Sequence, residues 1–330
     1  MSARLGAGGA SPPGAGDGFV AGLCSVTLRA SSPEEVADLA AAAGLDAIEW
    51  GGDVHVPAGD LAGAAGVAAR TVAAGLAVGS YGSYLFAEPD LSDDDIGRVV
   101  DTTAALGAPW VRVWCPFGVE PGTPADEVAG VAATLARIAD RAAAAGCRAY
   151  VEFHGQTLTA TEASAAAVLA GVADLIGSPA AGPWSAWQPP YWDRTRPIGS
   201  VDRAGDEAAG PSSTPVVDGA VADVGSGARA GPSRVPEDVA GIGLLAPRLA
   251  HLHVYAWDHD GGRSPLVTQA GAWADRLRAA TKAGVAVAGP RLALLEFVPD
   301  DDPAAVAVEA ATLRSLLSTA ATTPKEEERA

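Results

Sequence analysis

Side chains that can hold a metal ion or move a proton recur at the ends of short apolar segments of the chain. Glu152 and His154 lie in the string EFH, His251 and His253 in HLHVY, and Glu296 follows LALL. Two carboxylates and an imidazole that converge suit Mn²⁺, Mg²⁺, Zn²⁺ or Co²⁺. Two carboxylates buried side by side are costly, and a bound cation removes that cost. These residue types therefore favour metal-assisted chemistry.

The same residues lie at the ends of predicted strands. Strands are predicted at residues 19–25, 45–50, 76–81, 109–114, 147–153, 184–188, 250–255 and 291–297. Helices are predicted at residues 33–43, 60–74, 93–106, 124–145, 161–172, 236–246, 266–283 and 303–317. This alternation implies a parallel sheet with helices packed outside it. Eight such pairs favour a closed (β/α)8 TIM barrel. An open doubly wound sheet usually has a GxGxxG loop, which does not follow the first strand here.

Glycine marks the ends of the predicted helices. An Ala-rich segment ends in Gly and passes directly into an apolar strand around Gly44, Gly75, Gly107, Gly146 and Gly284. The position after a helix often needs a positive φ, which glycine adopts without strain. The repeated unit is therefore a helix, a glycine cap and a strand.

Two capping boxes are predicted at helix starts. Ser32 is followed by Pro33 and by Glu35, three residues after the serine. Thr159 and Glu162 have the same spacing after the fifth strand. In a capping box the hydroxyl and the later acidic side chain each accept a hydrogen bond from a backbone N–H at the helix start.

The alternation of side chains along a strand predicts which polar residues meet. Glu152 and His154 share one face of their strand, because successive side chains point to opposite faces. Active sites of TIM barrels form at the C-terminal ends of the strands. We therefore expect Glu152, His253 and Glu296 to converge there from three strands. The alternative for Glu152 is a structural ion pair with Arg112, since a buried glutamate is almost never left unpaired.

Composition excludes several classes of partner. The chain has 330 residues and a formal net charge of −18. That charge repels phosphate backbones and anionic lipid, so neither nucleic acid nor a membrane surface is expected as a partner. No stretch approaches the roughly 18 consecutive apolar residues of a membrane span. The three cysteines have no CxxC spacing and are predicted to be inert, reduced thiols of a cytoplasmic protein.

The length suits one large barrel, which needs about 250 residues. We expect a disordered tail at 1–18, the barrel at 19–318 and a disordered tail at 319–330. Residues 190–235 are rich in Pro, Gly, Ser, Asp and Ala, which predicts a disordered insertion after the sixth strand. The N-terminal segment lacks the apolar core of a signal peptide.

Several strings along residues 19–318 resemble one known superfamily. They are GLCSVT, IEWGGDVHVP, SYGSY, EFHGQTLT, WQP, HLHVYAW and LLEFV. In order and position they are similar to the xylose isomerase-like TIM barrels, which include sugar phosphate isomerases and epimerases. The resemblance implies a metal held by Glu152, Gln188, His253 and Glu296. Gln188 stands where that superfamily usually has Asp, so the site has one negative charge fewer and divalent affinity is expected to fall.

The resemblance also implies a mechanism. A divalent ion polarises the carbonyl of a small sugar, sugar acid or polyol, and Glu152 or Glu296 removes the neighbouring proton to give an enediolate. Arg112 and Arg263 are expected to bind a phosphate or carboxylate tail. Trp50, Trp114 and Trp257 are expected to stack on the apolar face of the sugar. The full predicted substrate-binding set is Glu49, His55, Tyr81, Arg112, Trp114, His154, Trp257 and Arg263. The alternative to substrate binding is an ion pair in a loop for Glu49 and His55. For Tyr81 the alternative is packing at the barrel rim.

Other functions remain open at this point. A dehydratase acting on a keto-polyol uses the same enolate, and a sugar-binding barrel that has lost its metal would keep the pocket. A nuclease similar to endonuclease IV shares the barrel but needs many metal ligands. Five histidines and a net charge of −18 argue against it. Barrels of this superfamily often form homodimers, although the sequence itself shows no interface.

Overall fold

The computed structural model describes residues 18–177, 182–190, 235–257, 262–282 and 291–322. Within them, parallel strands close into a barrel in chain order, each hydrogen-bonded to its neighbours. The strands are β1 (Phe19–Cys24), β2 (Ala47–Gly51), β3 (Ala77–Phe86), β4 (Trp110–Trp114), β5 (Arg148–Val151), β6 (Trp184–Trp187), β7 (Leu249–Val254) and β8 (Arg291–Leu295). The predicted (β/α)8 barrel is confirmed.

One α-helix follows each strand. The helices are α1 (Pro33–Ala42), α2 (Leu61–Ala73), α3 (Asp93–Leu106), α4 (Ala125–Ala144), α5 (Glu162–Ile176), α6 (Val235–Leu245), α7 (Ala270–Lys282) and α8 (Val306–Thr322). The tails and insertion predicted at 1–18, 190–235 and 319–330 lie largely outside the described residues, although α8 continues to Thr322. No helix among the described residues has the length and apolar character needed to cross a bilayer.

Caps at the helix ends explain where the helices begin and end. Gly44 and Gly107 follow α1 and α3 with φ of 69° and 70°, a left-handed conformation that favours glycine. Ser32 forms the predicted capping box with Glu35. The box predicted at Thr159 is wrong, because α5 is capped by Thr161.

The barrel interior has an apolar lower part and a polar upper layer. Below, one cluster contains Trp110, Tyr150, Trp184, Ala186 and Ala250, and a second contains Cys24, Ala47, Leu292 and Leu294. Above them, at the C-terminal strand ends, lie six buried polar side chains that we call the polar layer: Glu49, Arg112, Glu152, Gln188, His253 and Glu296. This layer holds the candidate site.

His251 lies below the polar layer as a core histidine. Its ring stands edge-on to Trp110 and Tyr150, with ring centroids 4.9 and 4.6 Å away. Nδ1 accepts a hydrogen bond from the Leu292 N–H at 3.1 Å, which needs an unprotonated nitrogen. Burial lowers the pKa of His251 from its ordinary 6.5 to about 3. The neutral ring is therefore part of the folded core.

This pKa shift predicts a pH-dependent loss of stability. Between pH 6.5 and about 3 the imidazole takes up a proton only in the unfolded chain, so acidification favours unfolding. The contribution is up to about 1.4 kcal/mol per pH unit. His251→Asn keeps an acceptor for Leu292, and we expect its free energy of unfolding to fall less steeply with pH. Urea unfolding of both proteins across this window measures the difference, and equal slopes would contradict it.

The cysteines Cys24, Cys115 and Cys147 are free and buried. Burial raises the pKa of Cys115 to about 12 and of Cys147 to about 11, and burial followed by repulsion from Glu49 raises that of Cys24. The reactive thiolate form is therefore scarce at neutral pH. We expect a disulfide-exchange reagent to label none of the three thiols quickly in the native protein and all of them in denaturant. Rapid labelling of the native protein would contradict this prediction.

Candidate active site

Glu152, His253 and Glu296 form the centre of the polar layer. His253 Nδ1 lies 3.3 Å from Glu152 Oε1 and 3.3 Å from Glu296 Oε2. The backbone N–H groups of Glu152 and Glu296 continue the strand ladders, donating to Val113 O at 2.9 Å and Val254 O at 3.1 Å. The two carboxylates and the imidazole thus converge on rigid strand ends. The three side chains therefore meet as predicted.

Thr159 supports Glu152 from the loop after β5. Its hydroxyl donates to the Glu152 carbonyl oxygen at 2.6 Å and is itself hydrogen-bonded to the Thr157 hydroxyl at 2.9 Å. The residue expected to cap α5 therefore fixes the backbone that carries a candidate catalytic carboxylate.

Gln188 completes the centre one residue after β6. Its Nε2 donates to Glu152 Oε1 at 3.0 Å and to the Phe153 carbonyl oxygen at 2.6 Å. Both amide hydrogens are thereby used, and Oε1 is buried with no donor. A buried acceptor without a donor is rare, and it marks a place for a ligand or an ion. Gln188 therefore lies where the resemblance puts a metal-binding oxygen.

Glu49 and Arg112 form the floor beside this centre. Arg112 Nη1 lies 2.9 Å from Glu49 Oε1 and 3.4 Å from Glu152 Oε2. Glu49 also accepts hydrogen bonds from the hydroxyls of Ser80 and Tyr150. Both Glu49 and Arg112 are almost fully buried. The predictions that Glu49 contacts substrate and that Arg112 binds an anionic tail do not fit these positions, because their charges already neutralise each other inside the barrel.

Charges in the polar layer shift the protonation of its members. Burial alone would raise the pKa of Glu49, but Arg112, His253 and the two hydroxyl donors lower it to about 2. Burial would likewise raise the pKa of Glu152, and the charges of His253 and Arg112 lower it. Burial disfavours a charged His253, yet Glu152 and Glu296 raise its pKa. The carboxylates of Glu49 and Glu152 are therefore ionised at neutral pH.

The donor set fits a divalent cation. The charges of Glu49 and Arg112 offset each other, so Glu152 and Glu296 leave two negative charges beside the neutral Gln188 amide and the His253 ring, which must release its proton to bind an ion. Glu152 Oε2, Gln188 Oε1 and His253 Nε2 are buried without a hydrogen-bond partner. Oxygen and imidazole donors of this kind suit Mg²⁺, Mn²⁺, Co²⁺ or Zn²⁺.

A second possible set, Cys24, Glu49 and His253, has donor atoms within 4.8 Å of one another. It is less suited to an ion, because Glu49 is already saturated with donors and the raised pKa of Cys24 keeps its thiol protonated.

Aromatic side chains form one side of the barrel mouth above β3, β4 and β5. Tyr84 stacks on Trp114 with ring centroids 5.8 Å apart, and His154 lies 5.2 Å from Trp114. Phe86 and Phe117 complete this first aromatic wall. Burial lowers the pKa of His154, whose Nδ1 lies 2.8 Å from Gly155 O. His154 and Trp114 are thus placed beside the centre as substrate-facing candidates.

The second aromatic wall lies opposite, above β7 and β8. Phe297 is 5.5 Å from Tyr255 and 5.6 Å from Trp257, and the Arg263 guanidinium lies 4.7 Å above its ring. Arg263 is also paired with Asp301. Phe297 has a φ of 60°, a strained conformation for a bulky residue. Strain directly after Glu296 is typical of functional sites, where the surrounding packing maintains it.

The structure places three predicted residues away from the centre. The Tyr81 hydroxyl donates to Val56 O at 2.9 Å, and its ring lies in the core between barrel and helices. His55 bridges Ser25 Oγ at 2.9 Å and Ser31 O at 3.0 Å, which fixes the loop after β1. Trp50, expected to stack on a sugar, is buried beneath α2 instead. The substrate-binding predictions for Tyr81 and His55 do not fit these contacts.

Two residues at the mouth had no place in the predicted site. Tyr84 lies on the inward face of β3, and burial raises its pKa to about 12, with Arg112 opposing that rise. Arg29, after β1, pairs with Asp53 and hydrogen-bonds Tyr84. Side chains two and four residues after Ser80 lie on the same face of the strand as Ser80. This alternation would have indicated that Tyr84 points into the barrel.

Comparison with known proteins agrees with this architecture. A family model described as "xylose isomerase-like TIM barrel" matches residues 37–183. No curated protein gives a significant sequence match. Among solved structures, an L-ribulose 3-epimerase is similar with a TM-score of 0.59 and 17% identity, over 94% of this chain and 99% of that one.

Two further structures show the range of the similarity. A xylose isomerase-like TIM barrel protein from Mycobacterium smegmatis, in complex with magnesium, has a TM-score of 0.59 and 13% identity, over 92% of this chain and 98% of that one. A probable 3-DHS dehydratase from Bacillus anthracis has a TM-score of 0.56 and 14% identity, over 90% of this chain and 98% of that one. The closed barrel and the family match over residues 37–183 together show a (β/α)8 TIM barrel of xylose isomerase-like type.

Proposed function

We propose that the chain is a metal-assisted isomerase or epimerase of a small sugar, sugar acid or polyol. The proposal rests on one observation: at the barrel mouth His253 Nδ1 lies 3.3 Å from a carboxylate oxygen of Glu152 and of Glu296. Gln188 lies beside them and hydrogen-bonds Glu152. An L-ribulose 3-epimerase among the structural neighbours supports the sugar substrate, and a neighbour holding magnesium supports the ion.

Glu152, Gln188, His253 and Glu296 would hold the ion. A bound divalent ion supplies electrophilic polarisation of a carbonyl and neutralises negative charge that develops on it. Among the protein groups, Glu296 is best placed to move a proton, because it is the more exposed of the two glutamates and adjoins the mouth. Glu152 is held by Gln188, His253 and Arg112 and is suited to hold the ion.

The residues around the mouth would orient the substrate. Trp114 and His154 on one wall, and Trp257 on the other, offer flat apolar faces for the C–H surface of a polyol. Burial lowers the pKa of Arg263, and the charge of Glu296 partly opposes this lowering. Tyr84 adds a hydroxyl to the first aromatic wall.

A dehydratase is the second candidate. Loss of a β-hydroxyl after the same proton abstraction gives an enone instead of an epimer, and a probable dehydratase is among the structural neighbours. The residues that move the proton would be the same in both reactions. Only the product distinguishes them.

Exchange of substrate hydrogen with solvent tests the proposal. The protein, supplied with Mn²⁺, is incubated in D₂O with a panel of neutral ketoses, their phosphates and cyclic keto-polyols, and each product is followed by NMR. We expect deuterium to enter the carbon beside the carbonyl of at least one class. Epimer, aldose or enone products then assign epimerase, isomerase or dehydratase.

Glu296→Gln is the matched control for this experiment, since it keeps the side-chain shape and removes the base. If the wild type incorporates deuterium and Glu296→Gln still does so, Glu296 is not the base. No exchange with any class of substrate by the metal-loaded protein would leave a non-catalytic sugar-binding barrel as the better account.

A further inference from the structure

Arg112 occupies an unusual position next to the candidate metal ligands. Its side chain is only 2% exposed, and its Nη1 lies between Glu49 Oε1 at 2.9 Å and Glu152 Oε2 at 3.4 Å. A guanidinium keeps its positive charge at any physiological pH. One oxygen of a candidate ligand carboxylate therefore faces a permanent cation that belongs to the protein.

Glu49 holds this cation and has no capacity left for an ion. Its carboxylate accepts from Arg112, from the hydroxyls of Ser80 and Tyr150, and from the Cys24 thiol at 3.7 Å. A carboxylate has about four lone-pair sites, and four donors already face them. Glu49 is thus a partner for Arg112 and not a metal ligand.

The residues around Arg112 enclose its guanidinium. Its guanidinium lies 5.8 Å from the centre of the Tyr84 ring and 5.6 Å from that of Trp114, which cover it from the mouth. A Cβ on Gly82 would come within 2.9 Å of Glu49 Oε1 and 3.0 Å of Arg112 Nη2. Glycine at this position therefore leaves room for the buried pair.

We propose that Arg112 is a fixed internal cation of the candidate metal site, and that Glu49 sets how strongly its charge opposes a bound divalent ion. The inference rests on the proposed function, because it assumes that Glu152 is a ligand. Arg112 neutralises part of the Glu152 charge when no ion is bound and repels an ion when one enters. Together with the neutral Gln188, it makes the site a weak and exchangeable one.

Affinity for Mn²⁺ alone tests this inference without any substrate. Metal-free wild type, Glu49→Gln and the double variant Glu49→Gln/Arg112→Met are titrated with Mn²⁺ by calorimetry. Glu49→Gln leaves the guanidinium charge uncompensated, so we expect weaker binding than in the wild type. Removing that charge in the same background should strengthen binding by about tenfold or more relative to Glu49→Gln, given effective interior dielectric constants near 20.

Near-ultraviolet circular dichroism of each variant checks that the barrel is folded. If the methionine variant does not fold, Glu49→Gln/Arg112→Gln tests the same charge removal with a polar side chain. If the pair has only a structural role, Glu49→Gln and the double variant should both bind Mn²⁺ more weakly than the wild type. Double-variant affinity equal to or below that of Glu49→Gln would overturn the inference.

Glu152→Gln separates failure of the inference from failure of the proposed function. If Mn²⁺ binding is lost in Glu152→Gln but does not respond to removal of Arg112, the metal site stands and the inference is overturned. If neither the wild type nor any variant binds Mn²⁺, both the metal site and the inference fall.

Discussion

Replacing Glu296 by glutamine is expected to lower kcat/KM by about 10²- to 10⁴-fold, the usual contribution of a positioned general base. Glu296 is the more exposed of the two central glutamates and contacts His253 at 3.3 Å. Glutamine preserves its size but cannot accept the proton. Steady-state kinetics with the substrate identified by deuterium exchange measures the loss.

A matched substitution on the surface controls for general damage. Glu127 lies exposed in the first turn of α4, and Glu127→Gln should change kcat/KM by less than about twofold, since exposed charges contribute little. Thermal unfolding should show both variants folded. If Glu296→Gln keeps wild-type kcat/KM, Glu296 is not the base and the division of roles between the two glutamates is wrong.

Replacing Arg276 by methionine is expected to destabilise the barrel by about 3–5 kcal/mol, the range found when one partner of a buried ion pair is removed. Arg276 on α7 donates to Asp238 Oδ2 on α6 through Nε at 2.9 Å and Nη2 at 2.6 Å. Both residues are buried, and the guanidinium also packs 5.1 Å from the Trp273 ring. The variant leaves the Asp238 charge without a partner inside the helical layer.

A double-mutant cycle separates this loss from lost packing. Asp238→Leu/Arg276→Met removes both charges, and we expect it to recover most of the stability, because apolar replacement of a whole buried pair is often neutral. Urea unfolding of the wild type, both single variants and the double variant gives the coupling free energy. Additive losses in the double variant would show that the ion pair contributes little and that packing dominates.

Most of the fold could be predicted from local signals in the sequence. Glycine after α1 and α3, with positive φ at Gly44 and Gly107, located the turns from helix to strand. The Ser32 capping box located the start of α1. These signals act within a few residues of the chain, so they can be read without knowledge of tertiary contacts. Thr159 failed as a cap because its hydroxyl is used by the Glu152 carbonyl oxygen, a contact of the folded barrel.

The face of β3 was not predictable in the same way. Its pairing with β2 shifts between Ile48 and Glu49, so that Gly79 is an extra residue in the ladder. Such a bulge changes which side chains point inward. As a result Ser80 reaches Glu49 inside the barrel, while Tyr81 lies among the helices. Tyr84, further along the same strand, takes the place at the mouth.

The polar layer was predicted in part. Alternation and strand position were sufficient to bring Glu152, His253 and Glu296 together, because each lies at or just beyond the end of a short strand. The role of Glu49 depends on donors from β3, β4 and β5, which are distant in sequence. Such contacts leave no local signal, so the sequence alone does not decide between a substrate-facing role and an ion pair for Glu49.

We propose that Glu152 and Glu296 help to bind a catalytic divalent ion. The most direct test is elemental mass spectrometry of the protein purified without added metal and after reconstitution with Mn²⁺, beside the double variant Glu152→Gln/Glu296→Gln. We expect about one equivalent of Mn, Co, Zn or Mg in the wild type, and none in the variant. A wild-type protein that holds no divalent ion even after reconstitution would contradict the claim and leave a barrel that binds or transforms its ligand without metal.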